Sequence, residues 1–362
     1  MNIRSKAVAT RQTDPSNSHN SLFPAFAERV RSRVERRLRQ RLSVEMRALG
    51  ALGPEAVSAC AALCEVCLRG GKRLRATLVS AGARCMGNRY DEKLLTDIGA
   101  AVELLHAYFL VHDDWIDGDL VRRGGPSAHA ILRQLHGDSA GDAAAILAGD
   151  WGAALANDWM ARLPLPPRTL VSLLSKFTGM QKAAIGGQMR DVLAKDGDIE
   201  QTYILKTASY TVEGPLALGA IVNGATAKDL VAIRKFSRPI GIAFQLRDDL
   251  LGLFGAPSDT GKPFGSDLRA GKHTVVVVLA LERARGADRN IIKAVFGNPR
   301  ASQRQLRAAV QAIESAGARH QVEERIVSLL HTASRQLRLA PITEDGRALL
   351  ASAASALVLR SV

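Results

Sequence analysis

A single large all-α domain, built as one helical bundle, is the fold class the sequence predicts, and three observations carry it. The 362 residues are 47% apolar but only 4% aromatic. That balance suits close-packed helices better than a β-sandwich, which favours aromatic and β-branched residues. Apolar residues recur at helical spacing, most plainly at Leu94, Leu95, Ile98, Ala101, Val102, Leu105, Tyr108 and Phe109. Punctuation falls at short Gly/Pro points: Gly53-Pro54, Gly124 to Pro126, Pro164 to Pro167, Gly255 to Pro263 and Asn298-Pro299. No strand alternation long enough for a sheet, no repeat of fixed period and no shift of composition interrupts this pattern.

Taken in chain order, residues 1–20 are a basic, Ser/Asn-bearing stretch expected to be a disordered tail, and residues 21–362 form the domain. The tail lacks the long apolar core of a secretory signal, although an organelle transit peptide stays open. The expected compartment is the cytoplasm. Arg29 to Arg41 is the densest basic run, but Phe26, Val30, Val34 and Leu38 recur through it at helical spacing. Its arginines are therefore the solvated face of a first helix with one buried stripe. Cys60, Cys64 and Cys67 contain a C-x-x-C, yet their i, i+4, i+7 spacing is one helical face and no second C-x-x-C follows nearby. They are read as core, and nothing requires an oxidising compartment. Thr274 to Leu281 is a buried helix start, far short of the roughly 18 apolar residues of a membrane span, and no transmembrane segment is expected.

The formal charge of +14 raises nucleic acid or an anionic membrane as partners. No nucleic-acid motif accompanies it, and the basic residues outside the first helix sit in short patterns. Those patterns point to a phosphorylated small molecule rather than to nucleic acid.

Two acidic clusters are the chemical core of the sequence. In Leu110 to Gly125, Asp113 and Asp117 are four residues apart and project from nearly one side of a helix, with Asp114 beside them. Three carboxylates on one turn repel each other unless a cation neutralises them. Hard carboxylate oxygens suit Mg²⁺, which commonly takes one or two carboxylates and completes its shell with phosphates. Asp248 and Asp249 form the second cluster, again beside apolar residues. Cations accompany both: Lys72, Arg73 and Arg75 in Gly70 to Arg75 at a helix start, Arg122 and Arg123 after the first cluster, then Lys206 and Lys262. Carboxylates for metal and cations for phosphate together suit a site for two diphosphates.

The chain resembles the trans-isoprenyl diphosphate synthases over about Leu63 to Thr274. The D-D-x-x-D followed by R-R-G is met by Asp113, Asp114, Asp117, Arg122, Arg123 and Gly124. The G-x-x-F-Q-x-x-D-D is met by Gly241, Phe244, Gln245, Asp248 and Asp249, and G-G-K-R-x-R by Gly70 to Arg75. Leu147 to Asp150, Gly187-Gln188, Lys206-Thr207 and Gly271-Lys272 are smaller marks of the family.

The resemblance implies the isoprenoid synthase fold, with a central active-site cavity, a homodimer and about three Mg²⁺ ions. By it, Asp113, Asp117 and Asp248 hold metal, supported by Asp114 and Asp249. Arg122, Lys206 and Lys262 grip the allylic diphosphate; Lys72, Arg73, His106 and Arg123 bind isopentenyl diphosphate; Thr207, Gln245 and the Lys206 region lie near the allylic cation. Gln188 is a further substrate-binding residue, whereas His112 is a packing neighbour. Bulky residues at Tyr108 and Phe109, about 6–8 Å along the helix from the metal cluster, go with short products. The expected product is farnesyl (C15) or geranylgeranyl (C20) diphosphate.

The chain departs from the family pattern at Ala76, where proline is usual, and at Gly252, where many members carry a third carboxylate. Glycine at 252 is read as a weaker outer ligand. Three other readings stay open: a class I terpene cyclase, which shares one D-D-x-x-D; a non-catalytic subunit of a heteromeric synthase; and a nucleic-acid-binding helical protein, which rests on charge alone.

Overall fold

The structure, a computed structural model, describes residues 15–193, 198–255 and 264–359. Residues 1–14 of the expected tail and Lys262 lie outside the described residues, whereas residues 15–20 already belong to the first helix.

Helix α1 (Pro15–Leu49) buries the stripe Phe26, Val30, Val34 and Leu38, extended by Phe23 and Leu42, while its arginines face outward. Two of these reach the neighbouring helix, Arg33 to Glu92 at 2.7 Å and Arg37 to both oxygens of Asp97. After a single 3₁₀ turn, α2 (Pro54–Leu68) starts with proline in its first turn, where the missing N–H costs nothing. Cys60, Cys64 and Cys67 are buried and free, and burial pushes their thiols up to about 11, 12 and 11 respectively. They pack as neutral core groups.

Next come α3 (Leu74–Met86) and α4 (Glu92–Asp117), the latter capped by Asp91, which accepts from the amides of Lys93 and Leu94. Counting uninterrupted apolar runs overlooks α4, which is long and apolar enough to cross a membrane. Its most apolar stretch is 61% buried inside the protein, so it serves as the central core helix.

A hairpin of two-residue strands, Val121–Arg122 with Gly125–Pro126, is the only strand pairing among the described residues. There follow α5 (Ala128–His136), α6 (Asp138–Ala161), α7 (Pro167–Leu193), the short α8 (Ile199–Tyr203), a π-helix (Ile204–Glu213), α9 (Gly214–Val222) and α10 (Ala227–Phe254). The chain closes with α11 (Ser266–Arg269), α12 (Val275–Arg283), α13 (Gly286–Val295), α14 (Gln303–Ser315), α15 (Ala318–Leu339) and α16 (Glu344–Val358). The Gly/Pro points expected as boundaries separate α1 from α2, α6 from α7 and α13 from α14.

Around α4 pack α1, α3 and α6, with α9 against α3. The π-helix lies between α7 and α10. Two glycines make that sandwich possible: a Cβ at Gly187 would stand 2.3 Å from the Lys206 amide nitrogen, and one at Gly241 would stand 2.3 Å from the Ala208 methyl. Any larger side chain would push the π-helix away from one neighbour.

The Gly70–Arg75 segment joins α2 to α3 through an unusual residue. Arg73 adopts the left-handed conformation at φ 47°, which a non-glycine residue seldom does. Its side chain is 1% exposed and turns into the core, donating to the Cys67 carbonyl at 2.7 Å and facing Glu103 at 3.5 Å. Glu103, itself 2% exposed, also accepts from the Ala76 amide at 3.2 Å and so caps the first turn of α3 from α4. Removing one partner of a buried ion pair leaves an uncompensated charge, at a cost of about 3–5 kcal/mol. Arg73→Ala should therefore lower unfolding free energy by that amount in urea titration, and Arg75→Ala by less than half of it.

Candidate active site

The last turn of α4 projects Asp113, Asp114 and Asp117, and the fold brings one cation to each. Asp114 is fully buried and receives Arg122 from the hairpin, whose Nε lies 2.8 and 3.1 Å from the two carboxylate oxygens. Asp113 faces the Lys206 ammonium at 3.2 Å, and Asp117 faces Lys272 at 2.5 Å. Burial alone would raise the Asp113 carboxyl, but Lys206 and Lys272 outweigh it and hold it below its ordinary value. At Asp117 burial wins, helped by the charge of Asp113, and the carboxyl is raised. Burial likewise raises Asp114 against the pull of Arg122.

Lys206 sits in the π-helix and also meets Asp191 of α7 at 2.6 Å. Burial would lower its ammonium, yet Asp113 and Asp191 hold it above its usual value, so it stays charged. One residue on, Thr207 donates to the Gln245 side-chain oxygen at 2.6 Å, and the Gln245 amide donates to Asp249 at 2.9 Å. Asp249 takes a further hydrogen bond from the Tyr203 hydroxyl, which itself accepts from the Val275 amide at 3.1 Å. Burial pushes the Asp249 carboxyl up to about 7, even though both hydrogen bonds pull it down. Asp249 is thus a support within a bonded chain, whereas Asp248 beside it lines the open cavities.

Two cavities meet at this cluster. The polar one, about 430 Å³, is lined by Asp113, Asp191, Lys206, Asp248, Asp267 and Lys272 among others. A mainly apolar one, about 490 Å³, runs between α4, α7, the π-helix and α10 past Tyr108, Phe109, Ile116, Met189, Val192 and Phe244. Asp113, Lys206, Thr207, Gln245 and Asp248 line both.

The inner wall of the apolar cavity is a chain of rings. Tyr108 packs on Phe109 at 4.8 Å, and Phe109 meets Tyr210 edge-to-face at 4.9 Å. The Tyr210 hydroxyl lies 2.6 Å from His106 Nδ1, and the Arg75 guanidinium stacks 4.3 Å over the Tyr210 ring. Burial first, then Arg75 and the arginines nearby, hold the His106 imidazole well below its usual range, so it is neutral. Arg75 donates to Thr211 Oγ1 at 2.8 Å, but its buried Nε finds no acceptor among the described residues. The Gln188 amide lines the same cavity, with both polar atoms buried and no partner among the described residues. His112 also lines the apolar cavity; its ring packs on Tyr108 at 4.7 Å and its Nε2 lies 3.0 Å from the Ile146 carbonyl.

Of the residues singled out in the sequence, His106, Tyr108, Phe109, Asp113, Gln188, Lys206, Thr207, Gln245, Asp248 and Asp249 line one or both cavities. Several basic ones do not. Arg73 is committed to Glu103, Arg122 to Asp114, and Arg123 to the carbonyl of Gly70, where it packs on the Gly71 backbone. Lys72 is exposed on the loop before α3. Arg75, Asp191, Tyr203, Tyr210, Asp267 and Lys272 were missed as site residues. Arg75 and Lys272 lie inside noted motifs, and Asp191 stands one helical turn after Gln188. Tyr203, Tyr210 and Asp267 carry no comparable signal.

The polyprenyl synthetase family model matches residues 57–313. The short chain isoprenyl diphosphate synthase of Methanothermobacter thermautotrophicus is 31% identical over 283 residues, 78% of this chain and 84% of that one. The geranylfarnesyl diphosphate synthase of Aeropyrum pernix is 34% identical over 269 residues, 71% and 79% of the two chains. The crystal structure of geranylgeranyl pyrophosphate synthase from Corynebacterium glutamicum, complexed with isoprenyl diphosphate and magnesium, superposes with a TM-score of 0.87 at 32% identity, covering 94% of this chain and 99% of that one. With its isoprenoid synthase fold and paired acidic segments, the chain belongs to the polyprenyl synthetase family and is a prenyltransferase of the short-chain trans-prenyl diphosphate synthase class.

Proposed function

We propose that this protein condenses isopentenyl diphosphate with dimethylallyl, geranyl or farnesyl diphosphate, in a Mg²⁺-dependent reaction, to give a C15 or C20 prenyl diphosphate and free diphosphate. One observation carries the reading: a polar and an apolar cavity share Asp113, Lys206, Thr207, Gln245 and Asp248 at their junction. A substrate with a charged head and a hydrocarbon tail fits that division, with its C–O bond at the boundary.

The residues present fit magnesium. Asp113, Asp117 and Asp248 offer hard oxygen donors from two facing helices, and ammonium groups already sit against Asp113 and Asp117. Among the described residues no three such groups close into a cage of their own. That suits an ion that shares its shell with water and phosphate oxygens. When bound, magnesium neutralises the diphosphate as it departs.

The protein's own groups do the rest. Lys206 and Lys272, kept charged by their carboxylates, face the head of the allylic substrate and stabilise the leaving oxygens. As the allylic C–O bond breaks, the Thr207–Gln245 pair and the ring of Phe244 border the cation that forms. The double bond of isopentenyl diphosphate attacks that cation, a C–C bond forms, and the proton lost passes to the released diphosphate. Arg75 supplies the orphaned donor for the second diphosphate, and neutral His106 adds a donor at Nε2 when Nδ1 accepts from Tyr210. The apolar walls exclude water, which would otherwise capture the cation. A homodimer completes the proposal, supported by the exposed apolar side chains of Leu135, Leu147 and Val171 on α5, α6 and α7.

Incubating the protein with Mg²⁺, isopentenyl diphosphate and each allylic starter, followed by mass spectrometry, should yield products longer by five carbons per step. EDTA should abolish turnover, and Asp113→Ala or Asp248→Ala should lower kcat by at least about 10²-fold, the scale of one lost electrostatic stabiliser. Wild-type rates in both variants would sink the metal site. Arg75→Ala should raise KM for isopentenyl diphosphate at least about tenfold, as expected from losing a charged hydrogen bond of about 1.5–3 kcal/mol. The KM of the allylic substrate should hardly move; an effect on that KM instead reverses the assignment of the two subsites. Replacing both Tyr108 and Phe109 by alanine removes the ring wall without touching a metal donor, so longer prenyl diphosphates should appear. Unchanged product length in that double variant would place the floor elsewhere.

A further inference from the structure

Gly252 leaves the second acidic segment one carboxylate short of the pattern found in many relatives. A Cβ at Gly252 would stand 2.6 Å from Oδ2 of Asp267, so that carboxylate would have to swing aside for any side chain at 252. The oxygen of Asp267 therefore stands in the space that a residue-252 side chain would need. Asp267 belongs to α11 and lines the polar cavity together with Asp248, Asp249, Gly252 and Lys272.

Its placement is firmly held. Leu268, next to it, is fully buried, and its carbonyl accepts from the Gly271 and Gly297 amides at 3.1 and 2.8 Å. Arg269 clamps the Ala301 carbonyl with Nε and Nη2, at 3.2 and 3.1 Å, and the Lys272 amide donates to the Asp267 carbonyl at 3.0 Å. The backbone that carries Asp267 is thus held in place by a braced turn beside the cluster.

We propose that Asp267 is the third carboxylate of the second acidic cluster, supplied from α11 into the space that Gly252 leaves open. In this role Asp267 positions cations and water for the allylic diphosphate, and glycine at 252 leaves its carboxylate the room to do so. The inference rests on the metal-dependent diphosphate site proposed above. It also implies that a carboxylate added at 252 competes with the one already present.

The test uses the full-length chain and Mg²⁺ titrated by calorimetry in the presence of inorganic diphosphate. Asp267→Asn should weaken Mg²⁺ binding about tenfold, while the unfolding midpoint in EDTA stays within about two degrees of wild type. Gly252→Asp alone should also weaken binding, because two carboxylates then contest one space. The double change Gly252→Asp with Asp267→Gly, which moves the carboxylate back to position 252, should restore affinity to within about threefold. Wild-type affinity in Asp267→Asn, or a double variant no better than Asp267→Asn, overturns the inference. Asp113→Asn serves as the reference: if it weakens Mg²⁺ while Asp267→Asn does not, only the role of Asp267 falls. If neither changes the affinity, the metal site itself falls.

Discussion

Three carboxylates at the wrong end of a helix are the constraint on which the rest of this structure depends. Asp113, Asp114 and Asp117 occupy the last turn of α4, where the helix dipole already places negative charge. Each carboxylate there is disfavoured by about 0.3–1 kcal/mol before any mutual repulsion is counted. The chain answers with one cation per carboxylate, each from a different element: Arg122 from the hairpin, Lys206 from the π-helix and Lys272 from the loop after α11. Two of these partners lie far along the sequence, so the second half of the bundle is electrostatically tied to the first. Arg122 pairs with a fully buried carboxylate. Lys206 and Lys272 pair with carboxylates that remain partly exposed, and a substrate phosphate can draw them away.

The π-helix is how the fold turns that tie into a site. Its i→i+5 pattern widens the helix and costs stability, which is why such stretches are rare and concentrate where function needs them. Here the widened stretch presents Lys206, Thr207, Tyr210 and Thr211 to the cavities, so head-group, junction and inner-wall residues all come from one short run. Gly187 and Gly241 press it between α7 and α10 at backbone contact distance. The family glycines in the G-Q and G-x-x-F-Q segments therefore do their work by absence of a side chain, and the acidic and amide residues beside them follow from that close approach.

How much of this was legible in the sequence depended on range. The buried stripe of α1, the core face of the three cysteines and the Gly/Pro boundaries before α2, α7 and α14 are local patterns, and the structure keeps them. The exchange between Arg73 and Arg75 was not legible. One residue in the left-handed conformation reverses which arginine faces the cavity, and nothing in G-G-K-R-L-R announces it. Arg123 meets the Gly70 carbonyl, 53 residues away, and Arg122 meets the Asp114 side chain only because the hairpin turns it back onto the end of α4. Tyr203, Tyr210 and Asp267 were invisible for the same reason: each acquires its meaning from a partner at least 15 residues away, Asp249, His106 and Gly252 respectively.

Tyr210 joins two properties that a list of motifs would keep apart. Its edge-to-face contact with Phe109 makes it part of the wall that limits the hydrocarbon tail. Its hydroxyl fixes His106, and its face carries Arg75, which are the two groups proposed to hold isopentenyl diphosphate. A ring cannot tilt to admit a longer tail without moving its own hydroxyl and the guanidinium stacked on it. The depth of the apolar cavity and the orientation of the attacking substrate are therefore mechanically linked through one side chain. Among the described residues Phe109 and Tyr108 carry no hydrogen-bonded partner of that kind, and a change of size there reaches the diphosphate groups only through the Tyr210 ring, so variation in product length is more freely accommodated on α4 than on the π-helix that faces it.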